Sequence, residues 1–195
     1  MRGGLIAGLG ILGVIVLVLL VVGGSYVSTK NKLVVLDNDV KSAYSTVDVE
    51  QQRRLDLIPN LVASVKGYVK EEETVLTNIA NARAAVIAAS GDRASSIDAN
   101  KRLDVAISPL LRLQENYPQL KGNDQFMRLE DELAGTENRI QVARNRYNAA
   151  LKDYNVAVQQ FPGSIWANMA GYHYSDQYYK GNPENKNAPT VDFSK

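Results

Sequence analysis

A chain of 195 residues is long enough for one helical domain of about 140 residues plus a membrane anchor. Its 22 Lys and Arg stand against 21 Asp and Glu, leaving a net charge of +1 without the basic stripe of a nucleic-acid binder. There is no cysteine and one histidine, His173, so disulfides, thiolate chemistry, the usual zinc sites and the paired Glu-x-x-His of a di-iron bundle are excluded, and no cofactor or metal is expected.

Residues 1–24 read as a transmembrane anchor. Residues 5–22 are LIAGLGILGVIVLVLLVV, and no charge occurs between Arg2 and Lys30. As a helix this apolar run rises about 27 Å, near the roughly 30 Å hydrocarbon core of a bilayer. A cleaved signal peptide is the competing reading, but its apolar region is usually shorter, and Gly23-Gly24-Ser25 is a poor small-x-small site. The uncleaved, single-pass anchor is therefore preferred. Arg2 on one side against Lys30, Lys32 and Lys41 on the other favours an external amino terminus and a cytoplasmic bundle.

Residues 25–161 carry the spacing of helices packed on helices, and the predicted fold is all-α: the transmembrane helix followed by an antiparallel, coiled-coil-like four-helix bundle. A first seam is Leu33, Leu36, Val40, Ala43 and Val47. A second is Ile58, Leu61, Val65, Tyr68, Glu72, Val75, Ile79, Ala82, Val86 and Ala89, and a third is Leu103, Ala106, Leu110, Leu113 and Tyr117. The fourth runs at strict 3,4 spacing through Phe126, Leu129, Leu133, Thr136, Ile140, Ala143, Tyr147, Ala150, Tyr154, Ala157 and Phe161. Heptad spacing predicts a shallow crossing angle between neighbouring helices.

The boundaries follow from turn and cap chemistry. Asp56 as an N-cap would place Pro59 in a first helical turn and make a hairpin there, which is preferred over a continuous helix kinked at Pro59. Ser90-Gly91 ends the second helix, and Ser95, Ser96 or Asp98 caps the third. Pro109 falls inside the third helix and Pro118 after it. Gly122-Asn123-Asp124 opens the fourth, and Pro162-Gly163 stops it.

The segment Arg53-Arg54-Leu55-Asp56-Leu57-Ile58-Pro59-Asn60-Leu61-Val62, with Val65-Lys66-Gly67-Tyr68, strongly resembles the signature of the bacterial LemA family. Asn81-Ala82-Arg83, Glu115-Asn116-Tyr117-Pro118, Leu133, Thr136 through Ile140, Arg144, Tyr147-Asn148, Tyr154-Asn155 and Phe161-Pro162 continue the likeness, which extends more loosely to Phe193. The resemblance implies an anchored helical bundle with no established molecular activity. The magnetosome protein MamQ, linked to forming internal membranes, is similar to this family. Glu71 stands here at a position that is often His in the family, so no role of that histidine carries over.

Arg53, Arg54, Asp56 and Asn60 are the candidate interaction residues, read either as a partner-docking corner or as ion pairs and a cap that fix the turn. Glu72, and Glu137, Asn138, Arg139 and Arg144, lie on or beside seams and suit a register-setting charged layer. The run Lys70-Glu71-Glu72-Glu73 reads as a solvated face. The tail, 162–195, is rich in aromatics. It is expected either to pack on the bundle or to touch the headgroup layer. If the helices alternate in direction, the long fourth helix returns to the membrane. Ile165, Trp166 and Met169 then become candidate membrane-interface residues, or else cap the bundle end.

A narrow seam leaves no reaction chamber, so no enzyme and no small-molecule substrate are expected. The expected function is a membrane-anchored, non-enzymatic scaffold that meets lipid through its first helix and either an unidentified protein partner or a second copy of itself. The alternatives are a membrane-shaping protein acting through anchor and tail, and a secreted soluble bundle.

Overall fold

The computed structural model describes residues 2–68 and 72–180, with side chains from residue 9 onward. Lys70, Glu71 and Phe193 lie outside the described residues. The uncharged run and the first seam belong to one helix, α1 (Arg2–Val65). It is followed by α2 (Glu73–Ala88), α3 (Arg93–Leu111), the short α4 (Leu113–Asn116), a 3-10 turn (Pro118–Gly122), α5 (Asp124–Gln159) and α6 (Gly163–Met169). No strand occurs among the described residues. Two compact units are formed, one drawn from Met1–Val47 and Arg146–Asp176, the other from Asp48–Asn145 and Gln177–Lys195.

The hairpin expected at Asp56 does not form. Residues 56–65, assigned to a second helix by their spacing, complete α1, with Pro59 inside it. Asp56 caps nothing; its carboxylate accepts from Gln52 Nε2 at 2.9 Å, one turn back on the same helix. Proline has no N–H to give the carbonyl four residues earlier, which here is that of Leu55. Arg83 supplies the missing donor, its Nε lying 3.1 Å from the Leu55 oxygen. An arginine on another helix thus removes much of the cost that would have made a break at Pro59 favourable. The reversal lies further on, at Lys66–Tyr68, where the Lys66 and Tyr68 amides donate to the Val62 and Val65 carbonyls. Tyr68, placed on the second seam by its spacing, is exposed in that turn.

In the second unit, Leu55, Ile58, Leu61 and Val65 of α1 meet Ile79 and Val86 of α2, Leu103, Ile107 and Leu110 of α3, and Phe126 and Leu133 of α5 in one core. Contacts at Glu50–Arg139, Arg53–Glu132 and Ser64–Asn123 fall on α5 as they rise on α1, so the two helices are antiparallel here. Gly91 sits at φ +105 after α2, a conformation open to glycine and costly for any residue with a Cβ. The third-helix cap is Asp92, not Ser95, Ser96 or Asp98: its carboxylate accepts from the Ser95 N–H at 2.8 Å, Ser96 is buried, and Asp98 pairs with Arg102 on the surface. Pro109 lies inside α3, two residues before its end. Asn123 opens α5 by accepting from the Gln125 and Phe126 amides, both at 3.1 Å.

In the first unit, Leu33, Val40 and Val47 of α1 are buried, as are Tyr147, Leu151, Tyr154, Asn155 and Val158 of α5. Tyr44 meets Tyr147 edge to face, with ring centroids 5.6 Å apart. The buried positions keep heptad spacing to Tyr147, then drift to Leu151, Tyr154, Asn155 and Val158, as a helix of 3.6 residues per turn does when not held to a 3.5 repeat. Phe161, the last member of the expected seam, is consequently off it and 77% exposed.

Candidate functional site

Two features gather the polar and apolar residues singled out by sequence. The first lies in the second unit and is built on Arg54. Continuing the first seam past Val47 at 3,4 spacing reaches Gln51, Arg54, Ile58 and Leu61, so the helix period itself drives Arg54 inward, to 2% exposure. Its guanidinium pairs with Asp104 of α3, meets Glu137 of α5 at 2.9 Å, and donates to Asn100 Oδ1 at 3.3 Å. Arg144 donates from both terminal nitrogens to the other Asp104 oxygen, each at 3.3 Å, and lies 3.9 Å from Glu137. Two cations and two carboxylates thus close a neutral square across three helices. The Tyr179 ring lies 5.2 Å from the Arg144 guanidinium carbon, within cation–π range. Buried Asn100 anchors the α3 side through the Ser96 carbonyl at 2.9 Å.

The square accounts for its own charge. Arg54 Nε and Arg144 Nε, and Gln51 Nε2 of the same α1 face, are buried polar atoms without a hydrogen-bond partner among the described residues. An arginine fork fits this geometry because planar donors reach two carboxylates at once, which a lysine ammonium cannot do with the same reach.

The four candidate interaction residues are not brought together. Arg53, next to Arg54 in sequence, points outward at 53% side-chain exposure and pairs with Glu132 at 2.8 Å; that bond raises its pKa. Asp56 and Asn60 lie on the exposed side of α1. Of the residues suggested for a charged layer, Glu137 and Arg144 take part. Arg139 instead pairs with Glu50 at 3.0 Å, Asn138 is exposed, and Glu72 precedes α2 rather than sitting on a seam. Sequence reasoning missed Asn100 and Asp104. The third seam, extended backward from Leu103, reaches Asn100 and Ser96, and a polar residue at a seam position was the available signal.

The second feature lies in the first unit, where α5 ends. Ring centroids of Trp166 in α6 and Tyr26 in α1 are 5.7 Å apart at 74°, an edge-to-face contact. A Cβ at Gly163 would lie 3.6 Å from Thr29 Cγ2 and 3.3 Å from the Ala157 carbonyl, so the chain passes close to α1 there. Ile165, Met169 and Phe161 point away from this contact, at 49%, 70% and 77% exposure. The tail residues that follow pack on α5: Tyr154 Oη donates to the His173 carbonyl at 3.0 Å, and the Asn155 amide both donates to the Ser175 carbonyl and accepts from its N–H. Burial at this contact raises the Tyr154 phenol pKa.

Beside this corner, α1 carries an apolar stretch long enough to cross a membrane, and its side chains from Leu9 to Val22 are exposed throughout. A core helix of a soluble protein would bury such residues, so α1 is a candidate membrane span. The described residues also include an open groove of about 320 Å³ between α2 and α3, lined by Val75, Asn78, Arg102, Val105, Ala106 and Pro109.

Comparison with known proteins agrees with the motif reading. The chain is similar to Protein LemA of Metamycoplasma hominis, with 26% identity over 110 residues that cover 56% of this chain and 50% of that protein. The matched stretch is thus half the length of that relative. The profile of the LemA family matches residues 43–193, from the α1 seam through the charged square and the α6 corner into the tail. By that match the chain belongs to the LemA family.

Proposed function

We propose that this chain is a single-pass, membrane-anchored scaffold without enzymatic activity, holding its helical domain at a membrane surface for a protein partner or a second copy. The observation that carries the proposal is the unbroken passage of α1 from the exposed apolar stretch into buried seam residues at Leu33, Val40 and Val47. A cleavable leader would sever that helix from the seam it feeds. The titratable groups nearest to an active-site constellation are consumed in the neutral square, where each carboxylate already faces two guanidinium groups. We assign the helical domain to the cytoplasmic side, from the basic residues Lys30, Lys32 and Lys41 that follow the span.

Crosslinking in native membranes, followed by gentle detergent extraction, tests the proposal. A discrete crosslinked species, either a homo-oligomer or a reproducible partner complex, is expected. A chain that stays uncrosslinked and monomeric in membranes, or a mature protein lacking residues 1–24, would contradict it.

A further inference from the structure

We infer that α6, together with Phe161, is a second membrane contact: a short foot resting in the headgroup–acyl boundary of the bilayer that α1 crosses. The inference rests on the reading of residues 5–22 as a membrane span and adds a lipid-binding element to it.

Three observations converge. The first is position. Tyr26 and Thr29, which receive Trp166 and Gly163, lie four and seven residues past Val22, where the apolar run ends. At 1.5 Å per residue they sit roughly 6–10 Å beyond the end of the hydrocarbon segment. Tyr26 thus falls within the interfacial layer, which adds about 5–8 Å on each side of the core, and Thr29 lies just past it. The second is chemistry. Ile165 and Met169, one helical turn apart, share an exposed face of α6, and exposed Phe161 lies in the turn just before that helix. Trp166 is half-buried against Tyr26, an amphipathic ring pair of the kind enriched at membrane interfaces.

The third is charge. No Asp, Glu, Lys or Arg occurs between Asp153 and Asp176, and none between Arg2 and Lys30. In a chain with 22% charged residues, the two uncharged segments are the two that meet at this corner. A surface meant for water or for a charged protein would not be cleared of charge on both strands of the contact. A bilayer boundary requires it, because charges near hydrocarbon are costly. With no basic residues in the foot, its contact is apolar and indifferent to headgroup charge, unlike a polybasic lipid site.

Trp166 is the sole tryptophan, so its fluorescence reports this corner alone. The full chain is reconstituted in phosphatidylcholine vesicles, and the samples carry a nitroxide either high on the acyl chain or near the bilayer centre, or receive aqueous iodide. The expected result is at least twofold stronger quenching by the shallow nitroxide than by the deep one, with weak quenching by iodide, unchanged when anionic lipid or salt is added. In Ile165→Asp/Met169→Asp the chain should remain in the membrane fraction and keep its helical circular dichroism, while shallow quenching falls at least twofold. A chain that resists alkaline carbonate extraction but shows strong iodide quenching and no lipid quenching would overturn the foot and leave the anchor standing. A chain released by carbonate would overturn both. Shielding of Trp166 from all quenchers that disappears when protein is diluted among lipids would mean that a second copy covers the face, which also overturns the inference.

Discussion

Arg53 and Arg54 are adjacent, carry the same charge and each bond a glutamate, yet the structure assigns them very different energies. Arg54 is 2% exposed and holds Asp104 and Glu137 together; Arg53 is 53% exposed and holds Glu132 alone. Removing one partner of a buried ion pair costs about 3–5 kcal/mol, because the remaining charges stay desolvated. Asp104 and Glu137 retain 32% and 39% exposure, and Arg144 still faces both, so Arg54→Met should fall near the lower end, about 3 kcal/mol. Arg53→Met removes a solvent-screened surface pair and should leave the unfolding midpoint unchanged within error. Arg54→Lys should lie between the two, since one ammonium retains charge but loses the fork. Thermal and urea unfolding of the full chain in detergent, followed by circular dichroism at 222 nm (the usual helix band), is the assay. A loss of about 3 kcal/mol corresponds to a fall in midpoint of roughly 6–12 °C for a protein of this size. Equal effects of Arg54→Met and Arg53→Met, to within about 0.5 kcal/mol, would refute the burial argument.

The remaining predictions concern backbone repair, turn geometry and pH. Arg83→Met should destabilise by about 1.5–3 kcal/mol by leaving the Leu55 carbonyl without its donor, and by much less in a Pro59→Ala background, where residue 59 regains its own N–H. Additive effects in that double-mutant cycle would remove Arg83 from the role described. Gly91→Ala should cost about 1–2 kcal/mol, although space at that position is open, because φ +105 strains any Cβ; an unfolding midpoint equal to that of the parent would contradict this. Hydrogen bonds from the Ser95 side chain and then its N–H hold the Asp92 carboxyl below its ordinary value of 3.8. The ionised cap therefore supports α3 above that value, and its support is lost as pH falls through the lower folded-state pKa. The Ser95 amide resonance in detergent micelles should titrate with a midpoint below 3.8 in the parent and show no such step in Asp92→Asn; a midpoint at or above 3.8 would contradict the cap.

Much of the helical architecture was readable from spacing alone. Leu33, Val40 and Val47 are buried, as are Ile79 and Val86, Leu103 and Leu110, and the α5 seam from Phe126 to Tyr147 apart from the half-buried Leu129. The continuity of α1 through Pro59 was not readable, because the penalty of a mid-helix proline depends on whether the freed carbonyl finds a donor, and that donor comes from Arg83 on another helix. Assuming the break also hid the charged square. Once the chain is cut at Asp56, the period linking Val47 to Ile58 is lost, and Arg54 looks like a member of a surface cluster with Arg53. Read as one helix, the same residues place Gln51 and Arg54 on the buried face. The α6 corner was legible as composition, in Ile165, Trp166 and Met169. Its juxtaposition with Tyr26 required the fold, since nothing local pairs residue 26 with residue 166.

The proposed anchor is open to direct mapping because the chain has no cysteine, so each introduced thiol reports alone. Single cysteines placed at successive positions from 9 to 33 of the full chain, in native membranes, are to be challenged with a membrane-impermeant maleimide before and after the membranes are opened. A bilayer-spanning helix protects every position through Val22 under both conditions and restores labelling from about Ser28 onward, with side chains against Trp166 and Gly163 lagging behind their neighbours. Labelling throughout 9–22, or recovery of the labelled chain in the soluble fraction, would show that α1 does not cross a membrane.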